Sequence, residues 1–260
     1  MEVIIKAGGD DVSNEAARIF QAQLKRKPAS VLGLATGSTP LGLYRELSRL
    51  FARKGIDFSR VTTFNLDEYV GLASSHPHSY ATYMRENLFL RINARPESVH
   101  IPDGMAADIP AHCAEYEVKI REAGGIDLQL LGIGSDGHIG FNEPGSSLSS
   151  RTRLKTLTER TLADNARFFP NNKNVPRHVI TMGIGTIMEA RHCVVMATST
   201  SKAGVVAAMV EGPITASVPA SILQMHPVST LIIDEAAAAE LRRSDYYRWV
   251  YNNKPEWQRV

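Results

Sequence analysis

Cysteine is nearly missing: Cys113 and Cys193 are the only two in 260 residues, far apart and without a paired ligand spacing. That excludes a disulfide framework and a cysteine-built zinc site, and predicts two reduced, buried thiols. No charge of one sign dominates either. The 29 Lys and Arg against 27 Asp and Glu leave a net charge of +2 with no polybasic block, so the electrostatic footprint of a nucleic-acid binder is absent. No apolar run approaches the roughly 20 residues needed to span a bilayer. The opening Met1-Glu2-Val3-Ile4-Ile5-Lys6 also lacks the charged and then apolar layout of a signal peptide. The expectation is a cytoplasmic chain with neither membrane nor nucleic-acid partners. What is present is a 43% hydrophobic composition, enough to fill the core of one α/β domain at this length.

The apolar patterning alternates between the two secondary-structure periods. Strands are predicted at Val3 to Lys6, Ser30 to Ala35, Val61 to Leu66, Ile126 to Ile133, Val179 to Met182, Cys193 to Thr198 and Thr230 to Asp234. Helices are predicted at Asp11 to Lys25, Pro40 to Arg53, Ser79 to Leu90, Pro110 to Ala123, Leu162 to Phe169, Lys202 to Glu211 and Glu235 to Arg242. Strands separated by helices of this length predict right-handed βαβ units and an open, mainly parallel, Rossmann-like sheet with helices on both faces, in three layers. No linker divides residues 1–260, so a single domain is expected. Residues 146–176, rich in Ser, Thr, Arg and Asn, are the least regular stretch and the candidate for a mobile lid.

The chemistry concentrates in Gly132-Ile133-Gly134-Ser135-Asp136-Gly137-His138-Ile139-Gly140-Phe141-Asn142-Glu143-Pro144, directly after a predicted strand. Glycines let backbone approach a ligand closely, and ligands bind at strand ends in α/β sheets. Asp136, His138 and Glu143 can converge as a carboxylate, imidazole and carboxylate relay; the competing reading is a surface turn with a solvated histidine. A second signal is Thr36-Gly37-Ser38-Thr39-Pro40, a strand-to-helix turn whose N–H groups and hydroxyls suit a phosphate, or serve as an ordinary helix cap. It lacks the lysine of a P-loop and the spacing of a dinucleotide fingerprint. A third is the acid pair Asp67 and Glu68 at a strand end, either of which suits a general base. Arg167 and Lys202 are candidate phosphate cations, although most single Arg and Lys residues are solvated. Arg151, Arg153 and Lys155 alternate, so an extended segment would present all three on one face as an anion site or as a plain solvated edge.

These blocks, with Ser149-Ser150-Arg151-Thr152-Arg153-Leu154-Lys155-Thr156-Leu157-Thr158, resemble the glucosamine-6-phosphate deaminase family, also called glucosamine-6-phosphate isomerases, over nearly the whole length. The resemblance implies that Asp67 is the acid/base at the sugar carbons. It implies that His138, assisted by Asp136 and Glu143, opens the pyranose ring, and that Thr36, Gly37, Ser38, Thr39, Arg167 and Lys202 bind the substrate phosphate. The implied reaction converts glucosamine 6-phosphate to fructose 6-phosphate and ammonia, in amino-sugar catabolism, with no metal and no other cofactor. Allosteric members are hexamers activated by N-acetylglucosamine 6-phosphate. The corresponding residues here are Ser146, Arg153, Lys155 and Thr156, together with the N-terminal amine of Met1 from a neighbouring chain. Two departures stand out. Tyr246, Tyr247 and Tyr251 surround the position of a C-terminal tyrosine linked to activation, and Ser199 stands where glycine is common.

Three alternatives compete. A galactosamine-6-phosphate deaminase differs in one hydroxyl orientation. A 6-phosphogluconolactonase shares the Asp-Gly-His loop but has no use for a base at C2, which Asp67 supplies. A non-catalytic sugar-phosphate-binding regulator would be expected to lack one of the four catalytic groups, and all four are present.

Overall fold

This computed structural model describes residues 1–166, 169 and 175–258. The alternation read from the sequence becomes a seven-stranded parallel sheet. Its first half runs from β1 (Glu2–Lys6) through α1 (Gly9–Arg26), β2 (Val31–Leu34) and α2 (Leu41–Ala52) to β3 (Thr62–Asn65). There follow β4 (Asp67–Tyr69), α3 (Tyr80–Asn87), β5 (Val99–His100), α4 (Ile109–Glu122) and β6 (Leu128–Gly132). The second half holds β7 (Arg153–Thr156), α5 (Glu159–Ala166), β8 (His178–Thr181), α6 (Ile184–Met188), β9 (Cys193–Ala197), α7 (Ala203–Glu211), β10 (Ser229–Asp234) and α8 (Ser244–Asn252). The main sheet has the order β1-β10-β9-β6-β2-β3-β5. Every residue of β2, β9 and β10 is buried, as a parallel sheet covered on both faces requires. Helix α1 turns Val12, Ala16, Ile19, Phe20 and Leu24 inward, each burial stabilising by about 1.5–3 kcal/mol for the larger side chains. Both cysteines are free and buried, as expected. No helix among the described residues is long and apolar enough to cross a membrane.

The strand order reverses between β2 and β6. From β2 the chain builds outward to β3 and β5, and from β6 it builds the other way to β9 and β10, which pairs at the far edge with the earlier strand β1. Such a switch point opens a crevice at the carboxyl ends of the strands, where the loops diverge.

Four expectations need correcting. Strand β8 is not part of the parallel sheet: it pairs antiparallel with β4 and β7 in a second, three-stranded sheet. The short strands β4 and β5 escaped sequence reading, β4 because two of its three residues are acids. Residues 235–240 form turns, and the last helix comes later as α8. The alanine run looked helical, but Asp234 draws the Ala237 N–H onto its own carboxylate at 2.8 Å and wraps the chain tightly. The helix predicted at Leu162 to Phe169 begins earlier, where the Thr158 hydroxyl accepts the Thr161 N–H and caps α5. Within residues 146–176, β7 and α5 are thus ordered elements, while 167, 168 and 170–174 lie outside the described residues.

Candidate active site

A cavity of about 770 Å³ fills the switch-point crevice. Its wall is made where strands end: Thr36 to Thr39 after β2, Leu66 and Asp67 after β3, Gly132 to Ser135 and His138 after β6, and Thr198, Ser199, Ser201 and Lys202 after β9. Helix α5 leans over it with Arg160, Thr161, Asp164 and Asn165, and Tyr69, Tyr80 and Phe141 form an aromatic flank. Residues that are scattered in sequence therefore meet because successive strand ends share one edge of the sheet.

The acid pair is resolved by what each carboxylate touches. Glu68 accepts the backbone N–H groups of Tyr69, Tyr80 and Ala81 at 2.8–2.9 Å, so it closes the N-terminal end of α3. Asp67 instead lines the cavity and is only 5% exposed. Burial, with a contribution from the Glu68 charge, pushes its pKa up to about 8. A carboxyl held that high can both take and return a proton near neutral pH.

The loop after β6 is shaped around His138. Gly134 lies flat against the imidazole, and a Cβ there would fall 2.2 Å from His138 Cε1. Gly140 adopts φ +56° and passes close to Asp67 and Thr181, a conformation other residues adopt rarely. His138 Nδ1 is 2.7 Å from Asp136 Oδ1 and 3.9 Å from Glu143 Oε2, which leaves Nε2 as the ring nitrogen for a ligand. The Asp136 contact is short but off the line of an ideal hydrogen bond. Burial would raise the Asp136 carboxyl, yet the hydrogen bond and charge of His138 outweigh it and hold it well below the usual carboxylate range. Glu143 is 2% exposed. Its Oε1 accepts from the N–H and hydroxyl of Thr158 at 3.2 and 3.3 Å, and its Oε2 faces the ring. One carboxylate thereby connects the histidine to the cap of α5. Among the described residues Asp136, His138 and Glu143 bring three ligand atoms within 4.8 Å of one another, so this set is also the place where a divalent cation would fit.

The cavity thus gathers Thr36, Gly37, Ser38, Thr39, Asp67, His138 and Lys202, with Asp136 and Glu143 behind the ring. Arg167 falls outside the described residues. The basic stripe breaks up: Arg151 is committed to Glu117 and Glu189 at 2.5 Å each, whereas Arg153 and Lys155 share one face of β7. Arg153 donates to Asn142 Oδ1 at 2.9 Å and to the Arg151 carbonyl at 3.2 Å, and burial lowers its pKa. Ser146 is buried and Thr156 exposed. Met1 sits in a separate groove with Tyr246, Tyr247 and Tyr251. Sequence reading missed the flank: the run His76-Pro77-His78-Ser79-Tyr80, dense in turn formers before a helix, was the available signal.

Ser199 is unusual in holding φ +82° and ψ 154° without being glycine. That region is close to glycine-only and costs on the order of 1–3 kcal/mol. Ser199→Gly should therefore raise stability by about 1 kcal/mol, the strain relief exceeding glycine's extra unfolded-state entropy, and a denaturant midpoint shift checks it.

Comparison with known proteins gives concordant results. The model of the glucosamine-6-phosphate isomerase/6-phosphogluconolactonase family matches residues 6–232. The chain is 58% identical over 258 residues to a glucosamine-6-phosphate deaminase of Arthrobacter sp. (strain FB24), covering 99% of each. It is also similar to the solved structure of a monomeric glucosamine-6-phosphate deaminase: 45% identity, TM-score 0.91, covering 92% of this chain and 100% of that one. A 6-phosphogluconolactonase from Leishmania guyanensis shares the fold at 22% identity, TM-score 0.72, covering 91% of this chain and 97% of that one.

Proposed function

This chain belongs to the glucosamine-6-phosphate isomerase/6-phosphogluconolactonase family, and we propose that its cavity converts glucosamine 6-phosphate to fructose 6-phosphate and ammonia. The observation that carries this reading is Asp67, a buried carboxyl on the cavity wall with its pKa near 8, in the same chamber as a histidine flanked by two carboxylates. Lactone hydrolysis has no use for a base at a sugar carbon, and aldose-to-ketose isomerisation requires one.

In the proposed sequence the phosphate rests on the Thr36–Thr39 turn and on Lys202, with Arg167 as a further cation. His138 moves a proton between the ring oxygen and the anomeric hydroxyl, opening the pyranose, while Asp136 and Glu143 orient the imidazole. Asp67 takes the C2 proton to give an enolamine, which is reprotonated at C1. Water adds to the resulting C2 imine, and ammonia leaves. The test is ammonia release from glucosamine 6-phosphate and from its galactosamine epimer, with turnover of the first expected to dominate. Preference for the second would move the assignment to the C4 epimer.

The pH profile follows from the sign of the Asp67 shift. The base form predominates only above about pH 8 and falls tenfold for each unit below it, so kcat/KM should climb close to tenfold per unit below that value and level off above it. A flat kcat/KM between about pH 6 and pH 8 would remove Asp67 as the base of the free enzyme.

We further propose that the chain acts in the cytoplasm in N-acetylglucosamine catabolism, as a hexamer activated by N-acetylglucosamine 6-phosphate. Two features support an anion site there: among the described residues the half-buried Arg153 guanidinium has no carboxylate partner, and the buried Ser146 Oγ lacks a hydrogen bond. The structural relative described as monomeric argues the other way. Arg153→Ala with Lys155→Ala should abolish activation while sparing turnover at saturating substrate, a coupling of about 1–3 kcal/mol. Hyperbolic kinetics and a monomer by light scattering would discard the activator and the hexamer together.

A further inference from the structure

Beside the cavity, the cavity-lining turn after β9 is held by a group that does not itself reach the cavity. Ser199 opens that turn in a backbone conformation suited to glycine. Its N–H points at both carboxylate oxygens of Asp234, 3.1 Å from each. Asp234 ends β10 while Ser199 follows β9, and the two strands are neighbours in the sheet, so the carboxylate bridges adjacent strand ends. Its Oδ1 also takes the Ala237 N–H at 2.8 Å, which fixes the carboxylate from the far side. Downstream, the Ser199 carbonyl accepts the Lys202 N–H at 3.1 Å, the Ser199 and Ser201 hydroxyls lie 2.7 Å apart, and Lys202 Nζ reaches the Ile133 carbonyl at 2.8 Å. Ser199, Ser201 and Lys202 all line the cavity and Asp234 does not.

We propose that Asp234 is a positioning residue for recognition of the substrate phosphate: by holding the Ser199 N–H it keeps the Ser199-to-Lys202 turn aimed into the cavity. The chemistry is specific. A side chain at position 199 resists this backbone geometry, and a fixed anion opposite its N–H compensates with charge-assisted hydrogen bonds. Without the carboxylate the turn relaxes toward ordinary dihedral angles, which rotates the Ser199 carbonyl away from Lys202 and displaces the lysine from the anion. Glycine at position 199 would need no such restraint.

The inference rests on the deaminase reading for its substrate but not for its structural core, and the experiment separates the two. In Asp234→Asn, KM for glucosamine 6-phosphate and the inhibition constant of inorganic phosphate should both rise by about tenfold, with kcat within about twofold, the signature of lost ground-state binding. Amide hydrogen exchange across residues 198–209 should accelerate in parallel. Adding Ser199→Gly to Asp234→Asn should recover most of both effects, because the strain that the carboxylate holds is gone. Should Asp234→Asn alone be too unstable to purify, Ser199→Gly and the Ser199→Gly, Asp234→Asn pair still decide, since they should have similar KM and exchange rates. Unchanged exchange in Asp234→Asn, a fall in kcat at constant KM, or failure of glycine to rescue would overturn the proposal. Absence of ammonia release in the wild type would instead strike the substrate assignment, and the exchange result would still decide the role of Asp234.

Discussion

Asp67→Asn is expected to lower deamination by about 10²–10⁴-fold, the range for removing a general base, while substrate affinity changes little, because the amide keeps the shape of the carboxyl but cannot accept the C2 proton. Exchange of the C2 hydrogen with solvent deuterium should vanish with turnover. Near-normal exchange in the variant would place the base elsewhere. The same substitution should stabilise the protein at neutral pH. Burial raises the folded pKa of Asp67 from 3.8 to about 8, so between those values the unfolded chain has released a proton that the folded chain still holds. Stability is then lost as pH rises through that window. Asparagine, with no proton to lose, escapes the penalty. The advantage of the variant in thermal melts should grow from about pH 4 to about pH 8 and then stay level. A base that weakens the fold in which it sits would give opposite signs for activity and stability, and an inactive variant that was also less stable would point to structural damage.

His138→Gln should produce the second large loss, on the order of a hundredfold or more on the cyclic substrate. The ring nitrogen left free by the Asp136 contact is the group that can exchange protons with the sugar oxygens, and glutamine cannot. An open-chain analogue bypasses that step, so the variant should handle it far better. Equal loss on both substrates would assign the histidine to a later step or to the scaffold. Gly134 gives a structural control, since its backbone lies against the ring. A side chain at position 134 should displace the imidazole and reproduce the His138 phenotype without touching the acid Asp67.

Much of this site was legible because the sheet is periodic and the strand ends are chemically marked. Strands β2 and β9 are apolar throughout and β6 and β10 carry apolar centres, as strands buried on both faces do, and the residues that follow β2, β3, β6 and β9 in sequence line one crevice. What the periodicity could not convey was the second sheet. Strand β4 begins on Asp67 and Glu68, whose burial is tolerated because Glu68 accepts three N–H groups, one from Tyr69 and two from the first residues of α3, and Asp67 stays protonated up to about pH 8. No pattern of hydrophobicity announces such a strand. Arg151 shows the reverse error: alternation placed it on a face with Arg153 and Lys155, whereas the Glu117 and Glu189 carboxylates, distant in sequence, drew it into an ion network. Asp234 was invisible as well, since its partner is a backbone conformation and not a side chain.

Strand β1 pairs with β10 from Glu2 opposite Thr230 to Lys6 opposite Asp234, so the earliest strand to leave a ribosome must wait for the last. At roughly 5–20 residues per second, that wait lasts on the order of ten seconds or more. Throughout it Val3 and Ile4, buried in the finished sheet, have no neighbouring strand and present an unpaired edge. Folding of β2 to β6 can proceed in the interval, because their pairings do not involve β1 or β10. Completion of the sheet is then a chain-closing event with a long-range entropic cost, and the unpaired edge stays open to aggregation until late in synthesis.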